Sequence, residues 1–309
     1  MKLALVYFEM HSRGEYPLPQ TGKNETVGKR RMKPRISKRG GLKMREERNT
    51  NNSIRARSFG TGAERWLVTE DHVDMAPESI PPKPITMQTH PQSITFDLQR
   101  SALIVIDMIN DFCTKGGGAD LNGFDINPCR APIEPLRNLL PIVRQTPMRV
   151  IWLNWGVRPD LLNMPPNQLH IFNPTGKGIG MGDPSPGGSG ALLEKDSWGT
   201  AVVDELEQRP EDVLVEKHRI SGFWDTPLDS ILRNIGARTI FFTGVNMDQC
   251  VLSTLQDASF LGYGCVLLTD CSATASPEYC VQATLYNVNF CFGFTSDSSA
   301  LVSALAPVI

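Results

Sequence analysis

The sequence predicts a three-layer, doubly wound α/β fold: about six mainly parallel strands with helices on both faces. Three observations carry this. Short, continuous apolar runs recur through residues 94–305, as expected of strands covered on both faces. Segments with apolar residues at three- and four-residue spacing lie between them. Regular alternation of the two patterns implies parallel strands joined by crossover helices.

Each element has its own justification. Residues 102–106 (Ala-Leu-Ile-Val-Ile) read as the first buried strand. Residues 132–144 place Ile133, Leu136, Leu139, Leu140 and Val143 on one helical face. Residues 149–154 and 213–217 are the next strands. Residues 227–235 form a helix with Leu228, Ile231, Leu232 and Ile235 inward. A strand over 239–243, a helix over 248–261 and a strand over 265–269 follow. A helix over 277–287, a sixth strand over 289–293 and a helix over 298–305 complete the pattern.

The first part of the chain is different. Residues 1–60 hold 15 Lys and Arg against 5 Asp and Glu, whereas the remainder holds 16 against 28. The basic segment has few large apolar residues and no amphipathic period, so it is expected to be a disordered arm. No aromatic residues interleave with its charges over 29–57, so no nucleic-acid partner is expected. Residues 61–92 contain Pro77, Pro81, Pro82, Pro84 and Pro91 and read as a linker. The folded domain is expected over 93–309, and a chain starting at Met87 is expected to retain it. No apolar stretch approaches the roughly 18 residues of a membrane span, so no membrane partner is expected. The opening residues lack the pattern of a secretory signal. The seven cysteines are odd in number and contain no C-x-x-C pair, which argues against a disulfide framework and a zinc site. The expected compartment is the reducing cytoplasm.

Ligands of such sheets bind at the carboxyl ends of the strands. Asp107 follows the first strand, Lys217 closes the third, and Cys250 follows the fourth at a helix start. All three should gather on one rim. A helix N-terminus favours a thiolate and can hold an oxyanion. Asp107 could take the thiol proton, with Lys217 as a fixed cation beside both groups. The alternatives are a structural loop residue at 107, a solvated strand end at 217 and a packed core cysteine at 250. Of the five histidines, only His218 falls at such a strand end, so a Cys–His pair is the weaker choice.

Three motifs resemble the isochorismatase-like cysteine hydrolases. D-x-x-N-D-F stands as Asp107-Met-Ile-Asn110-Asp111-Phe112 after its apolar strand. The lysine motif stands as Val215-Glu-Lys217-His-Arg-Ile-Ser221-Gly222-Phe223. The nucleophile motif, G-[VI]-x-x-x-x-C-V, stands as Gly244-Val-Asn-Met-Asp-Gln-Cys250-Val251. They occur in family order across about 94–305. The resemblance implies a catalytic triad of Asp107, Lys217 and Cys250. It also implies a cis peptide at Val245–Asn246, and an oxyanion hole made by the backbone N–H groups of Asn246 and Cys250. Asn246 and Ile109 depart from the residues usual in relatives. The nicotinamidase zinc pattern D-x-H-x-x-H is missing, so the resemblance implies no metal and no other cofactor.

Segments around Ser93–Asp97, Gly199–Leu206 and Ser221–Leu232 resemble ureidoacrylate amidohydrolases, whereas Val157–Leu161 and Gly178–Pro184 are similar to biuret hydrolases. Ile220 departs from the former, which tend to carry Tyr there. The expected partner is a small amide or ureide substrate, cleaved at a C–N bond through a thioester. Asn154 and Arg158 are expected to orient its far end, with a surface ion pair as the other reading of Arg158. The glycine-rich stretch 176–190 lacks a phosphate-loop pattern and reads as an active-site lid. Trp155 and Trp224 are read as pocket walls or as core. Relatives are commonly oligomeric, which makes a homo-oligomer the expectation. The competing functions are a vinyl ether hydrolase and a catalytically silent binding protein on this scaffold.

Overall fold

The computed structural model of this chain describes residues 57–61, 64–76, 80–186, 188 and 190–309. The basic arm expected over 1–60 lies almost wholly outside them. Six strands build the central sheet. In chain order the strands are β1 (Arg57–Thr61), β2 (Glu64–Val68), β3 (Val73–Asp74), β4 (Pro84–Met87), β5 (Ile94–Asp97), β6 (Ser101–Ile106), β7 (Arg149–Trp155), β8 (Val213–Lys217), β9 (Thr239–Gly244), β10 (Gly264–Ser272) and β11 (Phe294–Ser296). The last six form one sheet of order β11-β10-β9-β6-β7-β8, and every neighbouring pair is parallel. The chain winds outward from β6 through β7 to β8, then returns to β9 and winds the other way. The order therefore reverses between β6 and β9, and that switch point is where open parallel sheets leave a crevice.

Strand alternation sorts the side chains into two cores. One face carries Leu103, Val105, Val150, Trp152, Phe241 and Val266, packed with the helix Ile133–Val143 and the helix Ser298–Leu305. The other carries Ile104, Ile106, Ile151, Leu153, Ile240 and Phe242, packed with the helices Leu228–Asn234 and Leu252–Phe260. Every residue of β6 is buried, which accounts for its unbroken apolar reading. This is the three-layer fold that the sequence predicts.

Two expectations change. The aromatic run at 289–293 reads as a strand, but Val288–Phe292 forms a π-helical turn, and the strand is the following Phe294–Ser296. The turn continues directly from the helix Glu278–Asn287, so the chain reaches the sheet edge later than its composition suggests. The region 61–92, read as a Pro-rich linker, holds strand structure. Strands β1, β2 and β3 pair antiparallel, and β4 pairs antiparallel with β5. Pro84 takes the first position of β4, where a missing N–H is tolerated. Ile85 and Met87 alternate inward and are buried in the first core. A chain starting at Met87 would lose Ile85 and most of β4.

Candidate active site

Three strand ends deliver the site. Asp107 follows β6 directly, in the left-handed region at φ 52°. Aspartate tolerates this conformation better than most residues, and a non-glycine residue held there marks a functional constraint more often than a random loop does. Its backbone N–H donates to Leu153 O at 3.0 Å, and its Oδ1 accepts from the Trp155 N–H at 2.9 Å. The carboxylate is thus clamped to β7 and has no exposure.

Lys217 ends the edge strand β8, two strands from β6. Two strand spacings are roughly 9–10 Å, so only a long side chain can cross. The lysine stem runs past Trp155 of the intervening strand, with Nζ 4.0 Å from the ring centroid. A cation over an indole face is stabilised, the more so without water. Nζ stands 2.8 Å from Asp107 Oδ2 as an ion pair, and donates to Cys250 Sγ and to Arg219 O, both at 3.3 Å. Both members of the pair are fully buried.

Cys250 comes from the segment after β9. The peptide Val245–Asn246 is cis, as the resemblance implies. Met247–Val251 then makes a π-helical turn, closed by Val251 N–H to Asn246 O at 3.2 Å, before the α-helix Leu252–Phe260. The helix begins as expected near 248, but with a wider first turn. The Asn246 N–H donates to no group among the described residues. The Asn246 side chain is anchored instead: Oδ1 accepts from Cys129 Sγ (3.4 Å), Thr274 Oγ1 (3.2 Å) and Ala275 N–H (3.3 Å).

The electrostatics differ from the helix-start expectation. Burial pushes the Cys250 thiol up to about 12, and the nearby Lys217 ammonium offsets only part of this. Burial likewise raises Asp107 above the ordinary carboxylate value, against the pull of Lys217. Desolvation therefore outweighs the Lys217 ammonium and favours the thiol form. It needs a base to become a nucleophile. Asp107 is held on the same lysine.

The remaining residues of the motifs hold loops. Asp111 Oδ1 accepts from Gly118 N–H and Oδ2 from Leu193 N–H, at 3.0 and 2.8 Å. Asn110 Nδ2 donates to Trp198 O at 2.9 Å. His218 faces Asp225, with Nε2 3.9 Å from the carboxylate.

A cavity of about 710 Å³ ends against Asn246 and Gln249, at the turn that carries Cys250. Phe112, Phe172, Ile220 and Leu192 form walls, and Asn173 and Gly178 bring in the glycine-rich stretch. That stretch is tied down at Ile179, whose N–H and C=O both bond the Asn122 side chain. Cys250 itself is 4% exposed, and its neighbour Gln249 lines the cavity.

Two expected substrate contacts fall elsewhere. Arg158 is 58% exposed in its side chain and pairs with Asp160 two residues on, so the surface ion pair is the reading the structure supports. Asn154 is buried, but strand alternation turns it to the opposite face from Trp155. Trp155 belongs to the site, while Trp224 is exposed and donates to Asp257. Cys129 and Gln249, which the sequence did not mark, line the cavity, because loops distant in sequence meet there.

Residues 101–300 match the family model of the isochorismatase domain. The chain belongs to the isochorismatase family. Solved structures with this fold include a cysteine hydrolase from Pseudomonas syringae pv. phaseolicola (22% identity, TM-score 0.59, covering 74% of this chain and 99% of that one). An isochorismatase family protein from Desulfovibrio vulgaris is similar at 24% identity and TM-score 0.54, over 67% of this chain and 98% of that one. The N-carbamoylsarcosine amidase of Thermoplasma acidophilum is similar at 24% identity and TM-score 0.50, over 64% and 96%. Among the described residues no group of three or more His, Cys, Asp or Glu is placed to hold a metal ion, and no helix is long and apolar enough to cross a membrane.

Proposed function

We propose that this member of the isochorismatase family is a cysteine amidohydrolase that cleaves a C–N bond of a small linear amide or ureide, with Asp107, Lys217 and Cys250 as its triad. The observation that carries the reading is the buried chain of contacts at the switch point: Cys250 Sγ to Lys217 Nζ at 3.3 Å and Lys217 Nζ to Asp107 Oδ2 at 2.8 Å. A buried thiol beside a buried base has a chemical use that a core cysteine lacks.

The steps follow from the positions. Asp107 takes the thiol proton as sulfur attacks the substrate carbonyl carbon, forming a C–S bond. Lys217 stays charged and balances whichever of its two neighbours is anionic. The carbonyl oxygen gains the negative charge and is held by the backbone N–H groups of Asn246 and Cys250, donors fixed before reaction. Asp107 returns its proton to the leaving nitrogen, the C–N bond breaks, and ammonia or an amine departs. Water, deprotonated by Asp107, then attacks the thioester; the C–S bond breaks and the thiol is restored. The carbamoyl group in the name of the Thermoplasma relative supports a ureide-type substrate, either ureidoacrylate-like or biuret-like. A vinyl ether substrate makes no use of the sulfur.

The test is an ammonia-release assay over a panel of amides and ureides, with intact-mass detection of the acylated protein. Cys250→Ala is expected to lower kcat by ~10⁴-fold or more while the melting temperature stays close to wild type. Turnover by folded Cys250→Ala at the wild-type rate would end the covalent mechanism. Activity is expected to survive EDTA. Self-association is also proposed, supported by exposed rings at Phe260, Tyr279, Tyr286 and Phe290 on adjoining helical segments; sedimentation velocity measures it.

A further inference from the structure

The cavity beside Cys250 has one-sided chemistry. Its apolar walls include Phe112, Phe124, Ile126, Phe172, Leu192 and Ile220. Among the described residues its charged lining side chains are Asp111 and Asp125, both acidic, and no Lys, Arg or His lines it. Asp111 already spends both oxygens on backbone N–H groups. Asp125 is exposed and places a negative charge toward solvent. Lys217, the cation beside the sulfur, does not line the cavity and is committed to Asp107. A substrate carboxylate entering here would lose water and meet no cation, which is heavily penalised.

An oriented donor at the end of the cavity next to Cys250 is the Asn246 side chain. The Ala275 N–H can only donate, so the atom it bonds must be the amide oxygen, and this fixes which way the amide lies. Nδ2 donates to no group among the described residues, and Asn246 lines the cavity. A neutral oxygen acceptor suits it. The volume of about 710 Å³ lies in the range of pockets for drug-sized ligands, far more than biuret itself would fill.

We propose that the site selects an uncharged amide or ureide carrying an apolar substituent and rejects the carboxylate analogue, with Asn246 Nδ2 as a specificity-determining donor to a neutral substrate oxygen. This rests on the reading of Cys250 as the nucleophile, and it sets aside ureidoacrylate, an anion, as the substrate type.

Two matched pairs test it: phenylacetamide against its 4-carboxylate, and benzylurea against its 4-carboxylate. Ammonia release by the full-length protein gives kcat/KM, and calorimetry with Cys250→Ala gives affinity without turnover. The neutral member of each pair is expected to win by ~100-fold or more in both measurements. Asp125→Asn, an exposed and isosteric change, is expected to narrow the gap about threefold. Asn246→Asp keeps the oxygen that its three donors need but removes the Nδ2 donor, and is expected to raise KM for the neutral amide about fivefold. Equal binding of both members, preference for the carboxylate, or binding of neither overturns the proposal. Unchanged affinity in Asn246→Asp removes Asn246 from it. Binding of the neutral probes without turnover of any would count against the nucleophile while leaving the selectivity in place.

Discussion

Two buried ion pairs sit at opposite ends of the same strands. Arg144 and Asp212 meet at 2.5 Å just before β7 and β8 begin, and Lys217 and Asp107 meet at 2.8 Å where β8 and β6 end. Both are almost fully withdrawn from water, yet their surroundings differ. Asp212 accepts from Arg144 Nε and Nη2, from Trp152 Nε1 and from the Arg209 N–H. Burial opposes its charge, but these donors outweigh burial and hold its carboxyl below the ordinary value. Asp107 has one backbone donor, the Cys250 thiol and one ammonium, and that ammonium also serves Cys250 and Arg219 O. There burial wins and the carboxyl is raised. Asp212 has more donors and is less deeply desolvated, and the two carboxyls shift in opposite directions. A saturated carboxylate has no reason to accept a proton, whereas an under-supplied one does.

The comparison can be broken by exchanging the roles. Asp107→Asn is expected to have the largest effect, lowering amide hydrolysis by ~10³-fold, within the range for losing a general base. Asp212→Asn is expected to cost ~3–5 kcal/mol of stability, as when one partner of a buried pair is removed, with kcat per folded molecule unchanged. Denaturant titration and kinetics on both variants decide. If Asp212→Asn removed activity from folded protein, or Asp107→Asn left it intact, the contrast would collapse.

A smaller effect concerns the edge of the fold. A chain beginning at Gln88 loses the buried side chains of Ile85 and Met87 and is expected to be ~2–4 kcal/mol less stable than one beginning at Ile80. Equal urea midpoints for the two would show that β4 contributes nothing.

The smallest effect is in pH dependence. Asp212, with its folded value depressed, adds stability above its unfolded value of about 3.8 that is lost as pH falls through the lower folded value. The thiols of Cys250, Cys265 and Cys129 are raised to about 12, 12 and 11 from 9.0. Their contribution is complete below pH 9 and is lost as pH rises toward 11–12, at about 1 kcal/mol per thiol by pH 10. Melting temperature in reducing buffer should fall across that window, and a flat profile would contradict the assignment. In native protein the exposed Cys291 is then expected to alkylate ahead of Cys250, the reverse of what a lowered Cys250 value would give.

What could be read from the sequence follows from how local each signal is. The strands β6 to β10 are apolar runs flanked by periodic helices, so their order and sense could be written down, and with them the rim that holds Asp107, Lys217 and Cys250. The pairing of Arg158 with Asp160 two residues on is a detail of one turn that no periodicity encodes. Strand β4 is masked by Pro84 and by Pro81 and Pro82 before it, although Ile85 and Met87 alternate inward. The thiol's raised value was hidden for a different reason: a helix start is visible in sequence, but the depth at which it is buried is not. The cavity walls come from loops near 112, 126, 172, 192 and 220, and only the closed fold brings them together.

Gly244 closes β9 at φ 103°, and a Cβ there would lie 2.0 Å from Ile106 O, in the residue just before Asp107. The two backbones therefore touch where Asp107 and the segment bearing Cys250 leave their strands. The spacing of these two strand ends is a main-chain contact that a larger residue at Gly244 would break. Loops bearing Phe112, Phe172 and Ile220 are free of that constraint. The cavity walls can therefore change while the contact between these two strand ends is kept.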